Sequence, residues 1–593
     1  MCVRKWAPCV SILSVVFFAS VVRAAESYEV TIERGVTAKM RDGVILRADI
    51  YRPKADGKFP VLLQRTPYNK AAQADFGLHA AARGYVVVIQ DVRGRYASDG
   101  DWYTFKSESL DGYDTVEWVA ALPYSNGKVG MYGGSYVGAT QMLAAIAHPP
   151  HLAGICPIDT ASNYHDGWTY QGGAFEQWFN ESWVSGLAQD TLNRTVAKNT
   201  NALLGTWNLP LINYALFNFP DPSFAPTSAS TLAPYFIDWL AHPNYDDYWK
   251  QVSIEEHYGD IGVPVLTVAA WYDIFLGGSL RNYINLKTRG GSDAARHGQH
   301  LLVRVGGHAG WGQKVGEIDF GPTAAQNDAN EVTLKWYDFL FKGEQNEFAG
   351  KPVKIFVMGA NQWRQEEDWP LARAQSTKYF LHATKGANSL RGDGSLSSAA
   401  PRGESPDHYV YDPQSPAPTV GGPLCCDGDH LAPGPRDQRS VEARDDVLVY
   451  STPAFAEDSE ITGPVTLELF AASSAVDTDF TAKLVDVAPD GFAQNLTEGI
   501  VRARYRESQE KPTLINPGQI YNFTIDLWAT SNVFHKGHLL RLEISSSNFP
   551  RFDRNLNSGE NPAFAVNSVA ATNTIYHDSE HPSALILPVV PSH

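Results

Sequence analysis

The chain has 593 residues, several times the ~100–200 residues of a typical domain, and 44% of them are hydrophobic, 12% aromatic and 19% charged. These values describe a folded chain of about two to four domains and exclude a mini-protein or a disordered protein. The formal net charge is −17 and no Lys/Arg-rich run interrupts the acidic balance, so nucleic acid is not an expected partner.

The first 24 residues have the layout of a secretory signal peptide. Basic residues at Arg4 and Lys5 precede the apolar stretch Val10–Val22. Small residues follow at Ala24 and Ala25. The apolar stretch is short for a membrane span, which needs ~20 residues, and an uncleaved anchor is the alternative interpretation. We therefore expect a secreted or periplasmic protein with no membrane span after cleavage.

Residues 26–165 predict the first part of an α/β core, since strands come first and then alternate with helices. The predicted strands are Val36–Met40, Ile45–Tyr51, Val61–Gln64, Tyr85–Gln90 and Lys128–Tyr132. The predicted helices are Tyr113–Ala121 and Tyr136–Ala147. The continuous apolar run Tyr85–Gln90 is typical of a buried parallel strand. This rhythm favours an open α/β sheet with helices on both faces.

The alternation of strands and helices stops at residues 166–258. These residues are rich in Trp, Tyr, Phe, Asn and Pro and predict a helical cap inserted over the sheet. The alternation resumes in residues 259–348 with the strands Val263–Ala270 and His300–Val305 and a helix at Glu331–Phe341 that Gly343 ends. Residues 349–593 are dominated by short strands between turn residues, which predicts a jelly-roll β-sandwich. The predicted strands there are Val353–Met358, Lys378–Ala383, Val465–Ala471, Phe480–Val487, Ile520–Leu527 and Leu539–Ser545.

The strongest chemical signal is the segment Gly130–Gly138, in which a short strand runs into a helix through glycines that flank Ser135. This is the pattern of a nucleophile elbow, where a strained turn presents a serine hydroxyl above the strand ends. Residue 137 is Val and the glycine comes at 138, so the strict GxSxG pattern becomes GxSYxG. A glycine-flanked serine that serves packing alone is the alternative.

A serine hydroxyl needs a general base, and the base needs an acid to orient it. In α/β-hydrolases these residues come in the chain order Ser, acid, His, each after a strand. Asp273 follows the apolar strand Val265–Ala270, and His308 follows Leu301–Val305 through two glycines. We therefore predict Ser135, Asp273 and His308 as a catalytic triad.

Three cysteines remain after removal of the leader, namely Cys156, Cys425 and Cys426, too few for a disulfide framework. The adjacent Cys425 and Cys426 are predicted to form a vicinal disulfide or to be two buried thiols. A metal site there, or at the pair His297 and His300, is disfavoured because no further ligand cluster has a matching spacing. We predict no metal and no organic cofactor.

Several motifs in the same order along the chain resemble the CocE/NonD hydrolases, a superfamily that includes cocaine esterase, α-amino-acid ester hydrolases, glutaryl cephalosporin acylases and X-prolyl dipeptidyl aminopeptidases. The motifs are Arg65–Tyr68, Asp91–Gly94 with Ser98 and Gly100, the GxSYxG elbow, Trp271–Asp273, Asp437–Arg439 and Asp445–Tyr450. The resemblance covers nearly the whole mature chain. It implies an α/β-hydrolase core, an inserted helical cap and a C-terminal jelly roll.

The resemblance also implies an oxyanion hole made by the phenol of Tyr68 and the backbone N–H of Tyr136. We interpret the Asp91, Arg93 and Ser98 stretch as a structural ion-pair and turn element. Family members often carry Gly-Pro-Trp before the histidine, where this chain has Gly306 and Gly307. This departure concerns the shape of the loop that carries His308.

The acyl pocket is expected to be apolar. In the α-amino-acid ester hydrolases acids closely follow the catalytic aspartate, but here Ile274, Phe275 and Leu276 do. Trp168 and Phe275 are the expected pocket walls, with ordinary core packing as the alternative. The predicted function is hydrolysis of small-molecule esters, or amides, with neutral, hydrophobic or aromatic acyl groups.

Three other functions stay open at this point. The first is a β-lactam side-chain acylase or an X-prolyl or α-aminoacyl peptidase, and the second is an acyltransferase with the same triad. The third, of another class, is a non-catalytic protein whose jelly roll binds a surface. The sequence does not decide whether the chain forms a homo-oligomer.

Overall fold

The computed structural model describes residues 27–195, 233–308, 310–326 and 328–591. The predicted signal peptide, residues 1–24, and residues 196–232 of the predicted cap lie outside the described residues. No helix within the described ranges combines the length and the apolarity that crossing a bilayer requires.

The first sheet has ten strands, and its central seven are parallel. The strands are β1 Val30–Lys39, β2 Ile45–Pro53, β3 Phe59–Thr66, β4 Val86–Asp91, β5 Ser125–Gly134, β6 Leu152–Ile158, β7 Val265–Tyr272, β8 Gln299–Gly307, β9 Val353–Val357 and β10 Gln362–Glu366. Their order across the sheet is β1-β2-β4-β3-β5-β6-β7-β8-β9-β10, with antiparallel pairing only at the two edges. The carboxyl ends of β5, β6, β7 and β8 therefore meet at one edge of the sheet.

Ten helices lie in the described part of the chain. They are α1 Ala74–Ala82, α2 Glu108–Ala120, α3 Tyr136–Ile146, α4 Gln177–Thr195, α5 Pro234–Ala241, α6 Asp247–Lys250, α7 Leu276–Arg289, α8 Asp293–His297, α9 Ala329–Lys342 and α10 Arg439–Glu442. The helix α9 ends at Gly343, whose φ of 71° is left-handed, as the sequence predicts.

Both faces of the first sheet are buried, as its apolar runs require. Val61 and Leu63 of β3 pack in one core with Ala139, Met142 and Leu143 of α3. The intervening Leu62 packs in a second core with Phe76 of α1. This alternation confirms the predicted sheet with helices on both faces.

The cap places a dense aromatic cluster above the α3 face. Trp168, Phe179 and Trp183 join the same hydrophobic core as α3. The short hairpin formed by Tyr170–Gln171 and Ala174–Phe175 precedes α4. The helix α4 has no apolar stripe of helical period, but it places Phe179, Trp183, Val184 and Leu187 in this core.

The second sheet has eleven strands and forms the predicted β-rich C-terminal domain. They are β11 Gln375–His382, β12 Ser395–Ser397, β13 Asp407–Tyr411, β14 Leu448–Ser451, β15 Ser459–Ser473, β16 Asp479–Val487, β17 Ala493–Arg502, β18 Tyr521–Phe534, β19 Leu539–Ser545, β20 Ala571–Tyr576 and β21 Ala584–Val590. The strand order is β13-β20-β15-β21-β11-β12-β14-β19-β16-β17, and β18 pairs with β15.

The first sheet extends beyond residue 348, where the sequence analysis places the start of the jelly roll. Strands β9 and β10 hydrogen-bond into the first sheet, β9 parallel to β8 and β10 antiparallel to β9. The sequence assigned residues 349–366, with the single predicted strand Val353–Met358, to the jelly roll because period and composition report strand type and say nothing of the partner strand.

The C-terminal domain contacts the cap and the loop after β8. The backbone N–H of Phe175 donates to Asp553 at 2.9 Å, and the N–H of Cys426 donates to the Ser182 hydroxyl at 3.4 Å. The N–H of Glu317 donates to the carbonyl of Pro435 at 3.0 Å. The C-terminal domain therefore contacts both the cap and the loop after β8, the two segments that border the region above the sheet edge.

Candidate active site

Ser135 lies on a strained turn between β5 and α3. Its φ of 61° and ψ of −128° lie outside the regions that non-glycine residues usually occupy. Its N–H donates to the carbonyl of Ile158 at 2.8 Å, and the hydroxyl of Thr160 donates to its carbonyl at 3.0 Å. The end of β6 thus holds the backbone of this serine in place.

The glycines around Ser135 fit this turn tightly. Gly133 has a φ of 123°, and a Cβ atom there would lie 2.4 Å from Cγ1 of Val137. A Cβ atom on Gly138 would lie 2.8 Å from Cβ of Thr160. The one-residue departure from GxSxG therefore has a packing reason, since Gly138 is the residue that faces Thr160.

His308 and Asp273 lie together at the carboxyl ends of β8 and β7. The imidazole Nδ1 donates to Oδ1 of Asp273 at 2.7 Å, and Oδ2 accepts the N–H of Phe275 at 3.2 Å. Burial of the imidazole opposes its protonation, but the charge and hydrogen bond of Asp273 outweigh burial, and the pKa of His308 is raised above its ordinary 6.5. This arrangement fixes the imidazole with Nε2 free of the carboxylate.

The serine turn and the His–Asp pair meet at the end of β6. Asp159 follows Ile158, whose carbonyl holds Ser135, and an oxygen of its carboxylate lies within 4.8 Å of ligand atoms of both Asp273 and His308. The structure therefore brings the three predicted triad residues to one edge of the sheet, although they come from turns that are far apart in sequence.

Asp159, Asp273 and His308 have the donor types of a metal site. The guanidinium of Arg304 forms an ion pair with the carboxylate of Asp159, however, and so already supplies the positive charge at this position. Cys425 and Cys426 form a disulfide, which settles the sequence alternatives for that pair in favour of the vicinal disulfide. His297 and His300 contact different backbone carbonyls, those of Asp293 and Phe348.

Tyr68 lies beside the serine with its hydroxyl toward the turn. The hydroxyl accepts the indole N–H of Trp183 at 2.9 Å. The Ser135 side chain and the backbone N–H of Tyr136 lie close enough to the phenol to act on its pKa. Burial raises the pKa of Tyr68 above its usual 10, so the phenol keeps its proton at neutral pH. The phenol of Tyr136 points elsewhere, to Glu108 and to the N–H of Phe105, which leaves its backbone N–H as the relevant donor.

Trp168 and Phe275 form a stacked pair beside the histidine. Their ring centroids are 4.3 Å apart with an interplanar angle of 12°, and the Phe275 ring meets the His308 imidazole edge-on at 5.2 Å. Both side chains are fully buried and belong to the core that includes α3. The stacked pair lies beside the His308 imidazole, and its contact with substrate stays a prediction.

Three residues of the site, Trp183, Asp159 and Arg304, were not predicted from the sequence. Trp183 lies in a helix without an apolar stripe, so no pattern singled it out. The other two could have been found from the sequence, because Arg304 interrupts the apolar strand β8 and Asp159 directly follows the apolar strand β6. A charged residue in a fully buried strand needs a partner of opposite charge.

Comparison with known proteins agrees with this fold. Residues 42–310 match the model of the X-Pro dipeptidyl-peptidase (S15) family, and residues 346–586 match that of the X-Pro dipeptidyl-peptidase C-terminal non-catalytic domain. The chain is 39% identical over 576 residues to the cocaine esterase of Rhodococcus sp. (strain MB1 Bresler), across 94% of this chain and 99% of that protein.

Two solved structures share the architecture across nearly their full length. An α-amino acid ester hydrolase is 26% identical with a TM-score of 0.81, over 96% of this chain and 98% of its own. An aminopeptidase from a marine-sediment Thaumarchaeota archaeon is 25% identical with a TM-score of 0.82, over 98% of this chain and 99% of its own.

The protein has an α/β-hydrolase core with a serine on the turn after β5, and its relatives share this architecture. It is therefore a serine hydrolase whose core carries an inserted cap and a C-terminal jelly roll. The motifs in its sequence and its 39% identity to cocaine esterase show which family of serine hydrolases it belongs to. The chain belongs to the CocE/NonD family and is a serine ester hydrolase, as the sequence predicts.

Proposed function

We propose that Ser135, His308 and Asp273 form the catalytic triad and that the protein cleaves carboxylic esters with a neutral, hydrophobic or aromatic acyl group, with amides as a secondary class. The observation that carries the proposal is the hydrogen bond of 2.7 Å between His308 and Asp273, at the sheet edge where the Ser135 turn is anchored. A histidine oriented through Nδ1 can accept a serine proton at Nε2.

In the proposed reaction these groups act in sequence. The Ser135 oxygen attacks the ester carbonyl while His308 takes its proton, and the negative oxygen receives hydrogen bonds from the Tyr68 phenol and the Tyr136 N–H. His308 returns the proton to the leaving alcohol, which leaves an acyl-enzyme on Ser135. Water, activated by the same histidine, releases the acid. No step calls for a metal or an organic cofactor.

The preference for a neutral acyl group rests on the three apolar residues directly after Asp273. These residues, Ile274, Phe275 and Leu276, are buried, and the Trp168–Phe275 stack borders the histidine. A substrate with an α-ammonium group would bury its charge against these rings, which costs free energy unless a carboxylate pairs with it.

One observation favours a second candidate, cleavage of α-aminoacyl substrates. Glu176, at the start of the cap helix, is buried, and its Oε1 has no hydrogen-bond partner within the described ranges. Burial raises the pKa of Glu176 to about 8, so it carries little charge at neutral pH. It would pair with an ammonium only if binding drew off its proton.

A matched pair of substrates decides between the two candidates. The p-nitrophenyl esters of 3-phenylpropionate and of phenylalanine differ by the α-ammonium group alone. We expect kcat/KM to favour 3-phenylpropionate at least ~10-fold, as an unpaired buried ammonium requires. A preference for the phenylalanine ester that Glu176→Gln removes would establish the aminoacyl function instead.

Covalent labelling tests the triad itself. A fluorophosphonate probe should label the protein with a stoichiometry of one, and Ser135→Ala should abolish the labelling. Persistent labelling of Ser135→Ala would disprove the nucleophile, and no labelling of the wild type would support a non-catalytic binding protein. An excess of transesterified product when an alcohol is added would point to acyl transfer.

We also propose that the protein is exported, to the periplasm or the medium, with removal of residues 1–24. The basic, apolar and small-residue order of the leader supports this, and the Cys425–Cys426 disulfide suits an oxidising compartment. N-terminal sequencing of the protein recovered outside the cytoplasm should begin near Ala25. Recovery of an intact N-terminus from the cytoplasmic fraction would contradict export.

A further inference from the structure

A buried ion pair lies beneath the loop that carries His308. Arg304, in β8, contacts Asp159, which directly follows β6. The side chains are only 1% and 2% exposed. Burying two charges costs free energy that their attraction only partly offsets, so such a pair is weak evidence for stability alone. Its contacts indicate another role.

Arg304 holds the His308 loop from both sides. Its Nη1 donates to the carbonyl of Gly307 at 3.3 Å and also to the carbonyl of Gly310. These two residues flank His308 in the chain. The guanidinium also lies 4.6 Å from the ring centroid of Trp311. One side chain thereby fixes the backbone before and after the histidine.

Asp159 lies in the segment that holds the serine turn. Its own N–H donates to the carbonyl of Val268 at 2.8 Å. Its two neighbours in the chain are Ile158 and Thr160, which hold the backbone N–H and C=O of Ser135. Its φ of 47° is left-handed, a conformation that is uncommon for non-glycine residues but that aspartate tolerates better than most.

We propose that the Arg304–Asp159 ion pair is a positioning device that couples the His308 loop to the Ser135 turn, and that both are positioning residues for ester hydrolysis. The inference rests on the proposed triad, because it assigns the pair to the alignment of two of its members. Neither Arg304 nor Asp159 takes part in bond making.

Gly306 fits this role. Its φ is 153°, and a Cβ atom there would lie 2.1 Å from Nη1 of Arg304 and 2.5 Å from the carbonyl oxygen of Gly310. A side chain at 306 would therefore expel the guanidinium from the loop. The glycine at position 306 thus makes room for this ion pair.

The rate per active site is the first test. Arg304→Met and the double variant Asp159→Asn/Arg304→Met are titrated with the fluorophosphonate probe, so that misfolded protein is not counted. We expect kcat per labelled site to fall ~100-fold in both variants, with KM changed less than ~2-fold, because a misplaced base costs rate and leaves binding intact. Equal losses in the single and double variants would show that the pair acts as one unit. A fall of less than ~3-fold in both would overturn the proposal.

A control variant separates positioning from stability. Arg541→Met breaks the ion pair with Glu442 inside the C-terminal domain, where the two side chains are 12% and 0% exposed. It should lower the melting temperature while kcat per labelled site stays near that of the wild type. An equal loss of kcat in this variant would show that any broken buried pair slows the enzyme, and would overturn the positioning role.

The pH profile is the second test. The charged groups that face His308 are Asp273, Asp159 and Arg304. In Asp159→Asn the guanidinium stays charged, so the pKa of His308 should fall and the acid limb of kcat/KM should move to lower pH. An unmoved limb would overturn the electrostatic part of the role. Labelling of Ser135→Ala would refute the triad itself, so the two failures are distinguishable.

Discussion

The indole N–H of Trp183 donates a hydrogen bond of 2.9 Å to the phenolic oxygen of Tyr68. The cap helix α4 therefore reaches the side of the site where the negative oxygen of the reaction would form. Because the phenol accepts this bond, its own proton is free to point toward Ser135 and the substrate.

Two substitutions separate the phenol from its support. Tyr68→Phe removes the proposed oxyanion donor and should lower kcat by ~10²–10³-fold. Trp183→Phe removes only the bond that orients the phenol and should lower kcat by about 3–10-fold, as the loss of one hydrogen bond predicts. Steady-state kinetics with one ester would check both values. A loss in Trp183→Phe as large as that in Tyr68→Phe would mean that the indole itself contacts the reacting atoms.

Activity should depend on the deprotonated form of His308. Since its pKa is raised above 6.5, kcat/KM should fall as the pH drops through a midpoint higher than that of a free histidine. In Asp273→Asn the charge that raises this pKa is lost, so the midpoint should move down, and the rate should fall by ~10³–10⁴-fold. A pH–rate profile of both proteins measures this. An unchanged midpoint of the pH–rate profile in Asp273→Asn would exclude Asp273 as the partner of His308.

Gly133→Ala should damage the serine turn. The added methyl group meets Val137 at 2.4 Å on a backbone with positive φ, and we expect a loss of ~1–3 kcal/mol in the free energy of unfolding, with reduced activity. Gly186→Ala in α4 is the matched control, because a Cβ atom there meets no heavy atom of the described residues within 4 Å. That change should raise stability by ~0.5–1 kcal/mol. Urea unfolding curves of the two variants test the contrast, and equal stabilities would contradict it.

The thiol count should reflect two different environments. Cys425 and Cys426 are joined, and Cys156 is fully buried with its pKa raised to about 12 by that burial. Protein prepared without residues 1–24 should thus show no reactive thiol with a disulfide reagent while folded. Mild reduction should expose two thiols and denaturation of the reduced protein a third. Two reactive thiols in the folded, unreduced protein would rule out the disulfide.

The sequence predicted the parts of the site that local pattern determines. A glycine-flanked serine between a strand and a helix, and polar residues after apolar strands, identified Ser135, Asp273 and His308 because the ends of parallel strands meet at one edge. The strand and helix positions around them match the predictions to within a few residues.

Contacts between distant segments could not be predicted from the sequence. Trp183 meets Tyr68 across 115 residues, and Arg304 meets Asp159 across 145. No periodicity encodes such a contact, since only the packing of whole elements brings the side chains together. Residues 349–366, which contain β9 and β10, were assigned to the wrong domain for the same reason.

The bond from Cys426 to Ser182 has an evolutionary consequence. A surface loop of the domain without catalytic residues touches the cap helix one residue before Trp183. Substitutions in that loop can therefore shift the cap helix that carries Trp183, while the serine, the histidine and the acid stay unaltered. Diversification of this lineage is open to a domain that performs no chemistry.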